Sequence, residues 1–275
     1  MYVSVCTAMV LAFPAPARAQ FQPRPLNDPA TGETYHIEGA VGLWSPTAEM
    51  LVSSQGSGAL TGIVGTIIDF KKDFGLQDTH FPELHLELKA GAHKLRFQYI
   101  PIKYDQSATI TRDIVFNGQR YTVGLPVTTS LDWKAYRVGY EFDFIRRDRV
   151  YGGFLLDVKY TDVNVSLSSS LVNEFAEAKA PIPAIGGVVR IYVVPNISIT
   201  GELTGSRLSW LPESVIKGNQ AHYVDANIYG TLNFTNNIGV QVGYRSFDLG
   251  YVVNKARDTG AFTLKGLFFG VVARY

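Results

Sequence analysis

Five histidines and a scatter of carboxylates are the groups in this chain best able to move protons, so their spacing is where a chemical reading starts. A histidine becomes a general base when a carboxylate orients its ring and a nucleophile or water lies at its other nitrogen. His222 stands three residues before Asp225, and His80 two residues after Asp78. Residues three apart on an extended chain point to opposite faces, so His222 and Asp225 do not meet within one strand. No histidine is followed two residues later by serine; Glu38, Pro82, Glu87, Leu95 and Val224 hold those positions. No glycine loop that cradles a phosphate and no nucleophile elbow is present. Asp69, Asp73 and Asp78 gather oxygen ligands of the kind a divalent cation takes, but without the acidic ladder and closing Glu of an EF-hand. A solvated helical turn packed as a lid is the plainer reading of that stretch. These patterns assign no catalytic residue, no metal and no cofactor.

The remaining charges are arranged differently: they alternate with apolar residues over long runs, which is the signature of strands with two unlike faces. Glu83, His85, Glu87 and Lys89 oppose leucines 84, 86 and 88, and Arg96 and Gln98 oppose Leu95, Phe97 and Tyr99. Arg137, Glu141 and Asp143 oppose Tyr136, Val138, Tyr140, Phe142 and Phe144. Asp157 and Lys159 oppose Phe154, Leu156, Val158 and Tyr160, and Arg190 opposes Val189, Ile191 and Val193. Glu202 opposes Ile199 and Leu203, Asp225 opposes Val224 and Ile228, and Gln241 and Arg245 oppose Val240, Val242 and Tyr244. At the C-terminus Leu267, Phe269, Val271, Ala273 and Tyr275 share one face. These strands are near the 9–11 residues that a tilted strand needs to cross a bilayer.

Alternation alone also describes a soluble sandwich, so the connections decide. Those at 90–93, 146–149, 195–196 and 235–237 are short, whereas those at 105–132, 166–183, 209–221 and 250–261 are long and polar. Short turns at one rim and long loops at the other mark a transmembrane barrel with its short side in the periplasm. Counting back from a periplasmic C-terminus gives ten antiparallel strands, the first at 35–44 or extending to Ser53; eight and twelve are the alternatives. Gln55 to Phe81 is then the first outer loop or an inward-folded segment, whose Ile67, Ile68, Phe70, Phe74 and Leu76 clip onto the rim.

Composition agrees with this. Of 275 residues, 18% are charged and 46% hydrophobic, below the roughly 25% charge of ordinary soluble domains. Val3 to Phe13 is an apolar run followed by Ala17-Arg18-Ala19, which predicts a signal peptide over 1–19 cleaved near Ala19. Cys6, the only cysteine, leaves with it. The mature chain has 24 basic and 24 acidic residues, which gives no reason to expect a nucleic-acid partner. Residues 20–34, rich in proline, read as a periplasmic lead-in, and 35–275 as the barrel domain.

The closing strand resembles the C-terminal signal of bacterial outer-membrane β-barrels, which usually end in Phe where this chain has Tyr275. With the signal peptide, strand pattern and loop sidedness it makes the chain similar to the OmpA-like and OmpW-like group of small barrels. That resemblance implies an outer-membrane location, insertion by the barrel-assembly machinery, and contact with outer-membrane lipids and lipopolysaccharide. It transfers no catalytic residues. A homo-oligomer or another envelope protein is a possible partner. The lumen would hold Glu83, His85, Glu87, Arg96, Arg137, Glu141, Asp143, Asp157, Lys159, Arg190, Glu202, Asp225 and Arg245. In so narrow a barrel these charges should pair across the interior and hold it shut, in keeping with a structural or surface-interaction role. A narrow channel for small solutes is the first alternative. The second is an outer-membrane hydrolase, like the omptin proteases with their acidic and His-Asp pairs at the outer rim, or like the lipid A deacylases.

Overall fold

A computed structural model describes residues 30–55, 64–116, 118–169, 173–207, 220–253 and 258–275, with 173–180 and Val253 described by backbone alone. The predicted signal peptide and the first part of the lead-in lie outside the described residues.

Ten long strands form one closed antiparallel barrel: β1 (Ile37–Ser53), β3 (Phe81–Ala90), β4 (His93–Thr109), β7 (Pro126–Arg146), β8 (Val150–Ser169), β9 (Asn173–Val194), β10 (Ile197–Arg207), β11 (Gln220–Asn233), β12 (Ile238–Val253) and β13 (Asp258–Arg274). Each pairs with its sequence neighbour, and β13 closes the cylinder on β1 from Glu38↔Arg274 to Ser53↔Thr259. Between β1 and β3 lie β2 (Ile68–Asp69), which pairs with β1, and the single helical turn α1 (Phe70–Phe74); between β4 and β7 lies a small hairpin, β5 (Ile114–Phe116) and β6 (Gln119–Tyr121). The expected strand count of ten holds.

The expected loop lengths at three places do not. Residues 105–132, 166–183 and 250–261 are mostly strand, because β4, β7, β8, β9, β12 and β13 run well beyond the length a bilayer needs; β9 alone has 22 residues. The reason is an inversion of polarity along the barrel. In the periplasmic half the outside is apolar, with Val41, Leu84, Val138, Leu156, Val189, Ile228, Val242 and Phe269 exposed in a continuous belt, and the inside is charged. Farther up, the same inward-facing parity carries Trp44, Ala48 and Met50 on β1, Ile100 and Ile102 on β4, Leu131 and Trp133 on β7, and Phe262 and Leu264 on β13, all buried. The outward positions there are polar: Ser45, Thr47 and Glu49, or Asp162, Asn164 and Ser166. Above the belt the barrel therefore has the burial pattern of a soluble β-protein, and the sheet continues into water around an apolar core.

That core is roofed by the segment predicted to fold inward. Ile68, Phe70, Phe74 and Leu76 are buried, while Ile67 is exposed, so four of the five apolar residues reach the core. Asp69 caps α1 by accepting from the Lys71 and Lys72 amides, and Gly75 ends it in the left-handed conformation at φ 67°. Arg112 bridges to the hairpin loop by donating to both carboxylate oxygens of Asp73, at 2.7 and 2.6 Å, and to the Ile67 carbonyl at 2.7 Å. The three aspartates thus have separate duties: Asp69 caps, Asp73 takes Arg112, and Asp78 accepts from Thr47 and Lys71.

Candidate functional site

An ionic network fills the half of the barrel that carries the short turns, and charge is buried only where partners and hydrogen bonds offset its lost hydration. Period-2 alternation delivers the side chains: each charged residue sits on the inward parity of its strand, and register brings opposite signs together. Arg245 on β12 donates to both oxygens of Asp225 on β11, at 3.0 and 2.8 Å, and to Glu83 on β3 at 2.9 Å. Lys159 on β8 reaches the same Asp225 at 2.8 Å, and the Tyr223 hydroxyl donates to it at 2.9 Å. Arg96 on β4 joins Glu141 at 2.9 Å and, across the lumen, Glu202 on β10 at 2.6 Å. Arg137 Nε lies 2.8 Å from Asp157, but its N–H is not aimed along that line, so the two make a charge contact without an aligned hydrogen bond. His85 contacts Glu83 at 3.2 Å and Gln98 at 3.1 Å.

All thirteen predicted lumen residues, Glu83, His85, Glu87, Arg96, Arg137, Glu141, Asp143, Asp157, Lys159, Arg190, Glu202, Asp225 and Arg245, lie inside the barrel; His85 contacts Glu83 and Gln98, and each of the other twelve has an ionic partner there. Lys94 belongs with them and is absent from the sequence-based set. It is 2% exposed, lies 2.6 Å from Glu141 and 3.1 Å from Asp143, and shares the parity of Arg96 and Gln98, which was the available signal. Tyr223 and Tyr229 also belong: they share the parity of Asp225 and donate hydroxyls to Asp225 and Glu202. A cavity of about 50 Å³ lies among these groups, bounded by Glu38, Arg96, Arg137, Glu202 and Tyr229 among others, which is room for a water or two.

The periplasmic mouth is closed by the end of the lead-in. Residues 30–34, expected as an extended approach, turn inward, as does Tyr35, expected to open the first strand, which begins at Ile37; Ala30, Glu33 and Tyr35 are buried. The Thr31 amide donates to the Pro195 carbonyl at 2.7 Å, and Asn233 donates to the Thr31 carbonyl at 2.7 Å. Glu33 is gripped by Lys89 at 2.9 Å, Arg190 at 2.8 Å and the Tyr192 hydroxyl at 2.7 Å, and Tyr35 donates to Glu87. Burial pushes the Glu33 carboxyl up, but Arg190 and Lys89 outweigh it and hold the group well below the usual carboxylate range. A depressed carboxyl contributes stability that is present above its unfolded value of about 4.5 and is lost as pH falls through the folded value. Glu33→Gln should therefore lower the thermal midpoint at pH 7, with the gap to wild type narrowing as pH drops below about 4.5. A gap of constant size from pH 7 into acid would contradict this ion clamp.

The histidine pairs do not converge on a catalytic centre. Asp225 faces the lumen while His222 faces outward, as opposite parity requires, and His222 instead contacts Asp248 on β12 at 3.0 Å. His80 contacts Ser45 at 2.7 Å rather than Asp78. Among the described residues no cluster of three or more His, Cys, Asp or Glu is placed to hold a metal ion. The C-terminal set Leu267, Phe269, Val271, Ala273 and Tyr275 lies on the outside of β13, in the apolar belt.

Comparison with known proteins places the fold. No protein-family model matches the chain, and no curated protein matches it. Among solved structures it is similar to the outer membrane protease OmpT of Escherichia coli, with TM-score 0.56 and 9% identity, covering 87% of this chain and 96% of that one. A Pseudomonas aeruginosa FadL homologue aligns with TM-score 0.39 and 10% identity over 94% and 95% of the two chains. Ail, the attachment invasion locus protein of Yersinia pestis, aligns with TM-score 0.34 and 10% identity over 85% and 97%. At these identities the likeness concerns fold alone. The chain is a closed ten-stranded barrel of the outer-membrane kind, and its apolar belt suits that membrane.

Proposed function

We propose that this protein is an integral outer-membrane barrel with a structural or surface-interaction role, its lumen closed and its outer half presented to the surroundings of the cell. The observation that carries the reading is the filling of the interior along its whole length. Ion pairs fill the half of the barrel with the short turns around a cavity of about 50 Å³, an aromatic and aliphatic core occupies the other half, and Glu33 with Tyr35 seals the mouth. A solute path would have to cross both layers, breaking buried ion pairs and hydrating apolar side chains at once.

The hydrolase alternative would place acidic and His-Asp pairs at the outer rim, as in a protease such as OmpT. In this chain the inward positions of the outer half are apolar, Trp133, Phe247 and Phe262 among them, and the described histidines there face outward. This supports a non-enzymatic role. Purified protein in planar bilayers should give no discrete conductance steps above background. Reproducible steps whose size changes on Arg137→Gln or Glu141→Gln would replace the present reading by the channel. Partners fitting the proposal are outer-membrane lipids including lipopolysaccharide, the barrel-assembly machinery during insertion, and a second copy or another envelope protein against the belt.

A further inference from the structure

The end of the lead-in is held as a ligand is held, through side chains and not through the sheet. From His36 onward the backbone is part of the closed wall: the His36 and Ile37 amides donate to the Tyr275 carbonyl, and the Lys89 amide donates to the His36 carbonyl. Among the described residues, 30–35 make one backbone-to-backbone bond, from the Thr31 amide to the Pro195 carbonyl at 2.7 Å. Their other anchors are side chains: Asn236 accepts from the Gly32 amide at 3.0 Å, and Asn233 and Lys89 donate to the Thr31 and Glu33 carbonyls, each at 2.7 Å. Pairing of β1 with β13 begins at Glu38, so the wall is complete without this segment. A segment with few backbone contacts and no ladder opens at lower free energy than the fold it rests on.

The seat it occupies is built by the wall. Arg190 and the Tyr192 hydroxyl donate to one oxygen of the Glu33 carboxylate, at 2.8 and 2.7 Å, and Lys89 donates to the other at 2.9 Å. Among the described residues Glu33 is the only carboxylate within ion-pair distance of Lys89 or Arg190. Arg190 also bonds through Nε to the Thr200 hydroxyl at 3.2 Å, and Tyr192 packs edge-on against Tyr151 at 6.1 Å, so both keep their places without Glu33. Once the segment leaves, three donors still converge on one point at the mouth, and two of them are cations with no carboxylate.

We propose that residues 30–35 form a latch that detaches while the barrel stays closed, and that the vacated seat of Lys89, Arg190 and Tyr192 binds a carboxylate of an acidic peptide segment; this rests on the closed-lumen reading above. Three convergent donors, two of them charged, match the two oxygens of a carboxylate. The latch is tethered, so its effective concentration at the seat is roughly millimolar or higher, and a free competitor acts only near that range. An acidic segment of a partner held beside the mouth meets that condition, and a small dicarboxylate at high concentration stands in for it.

The test uses the mature chain from Gln20, folded in nanodiscs; Cys6 is the only cysteine, so this chain carries no thiol of its own. Ala30→Cys in the latch and Ala48→Cys in the outer core each place a thiol at a buried position, and labelling by a polar maleimide reports how often each is uncovered. Ala30→Cys should label at least roughly tenfold faster and almost independently of urea, whereas Ala48→Cys should label only as the barrel unfolds, at a rate rising steeply with urea. Val165→Cys, equally buried in that core, replaces Ala48→Cys if the latter does not fold. Adding Glu33→Gln should raise the Ala30→Cys rate roughly tenfold. Sodium glutarate, compared with sodium chloride at equal ionic strength, should raise that rate at least about twofold, and Arg190→Gln should remove the difference. Equal rates with equal urea dependence at the two positions overturn the latch, and a glutarate effect no larger than that of chloride overturns the seat. Conductance steps in planar bilayers count against the closed lumen alone, so the two failures are told apart.

Discussion

Asp225→Ala should destabilise the folded barrel by about 3–5 kcal/mol, the usual cost of removing one partner from a buried ion cluster. Asp225 is 4% exposed and satisfies three groups at once: the guanidinium of Arg245, the ammonium of Lys159 and the hydroxyl of Tyr223. Without it Arg245 keeps Glu83 at 2.9 Å, but Lys159 is left with Asp157 at 4.0 Å as its remaining carboxylate contact. The damage lies in the Lys159 ammonium stranded away from water, and in an Arg245 left with one of its two carboxylates, more than in the lost attraction itself. Asp225→Asn keeps the shape and some hydrogen bonding, so a smaller loss of about 1–3 kcal/mol is expected. Removing Lys159 along with the carboxylate, as Asp225→Asn with Lys159→Met, should recover part of that loss, because the stranded ammonium goes with it. Urea unfolding in detergent micelles, followed by the shift from the compact to the extended form on gels, measures all three. A wild-type midpoint for Asp225→Ala would mean that the pocket is wet and that these contacts are not the lock of the lumen.

Period-2 alternation made the lumen set legible because parity in a strand is a binary property and the outer face of the belt is uniformly apolar. Loop sidedness then fixed the count of ten. What parity could not convey was where the apolar side changes from outside to inside. On β1, Val41 and Leu43 face out while Trp44, Ala48 and Met50, of the other parity, face in. A sequence reading that looks for one apolar face per strand stops at this switch and takes the polar outward residues beyond it for loop. That is why 105–132, 166–183 and 250–261 read as long connections. Glu33 and Tyr35 were hidden for a different reason: nothing local marks a short proline-flanked segment as a plug, and their partners Glu87 and Lys89 on β3 and Arg190 and Tyr192 on β9 lie far away in sequence. The outward placement of His222 followed from parity, but its contact with Asp248, 26 residues away, depends on the β11–β12 register.

Deleting Phe269–Tyr275 should abolish the folded barrel altogether. The lost residues pair with Glu38–Leu43 of β1 on one side and with Ile238–Val242 of β12 on the other. Both stretches lie in the apolar belt, where Val41, Leu43, Ile238 and Val242 face outward, so the truncation would leave two unpaired strand edges in hydrocarbon. Each unsatisfied backbone group there costs several kcal/mol, and a handful of them exceeds the roughly 5–15 kcal/mol of a typical folded domain. The seal also loses the Ile37 and His36 amides bonded to Tyr275 O, and the contacts of Arg274 with Glu38 and Asn233. Stable membrane insertion of the truncated chain as a compact, heat-modifiable species would contradict closure by β13. Tyr275→Ala separates this structural role from recognition by the assembly machinery. Its ring is 86% exposed and packs on almost nothing, so purified Tyr275→Ala should refold in detergent like wild type. If the same variant nonetheless fails to reach the outer membrane in cells, the terminal aromatic is read by the assembly machinery and contributes little to the finished barrel, whereas the backbone it ends is needed for closure.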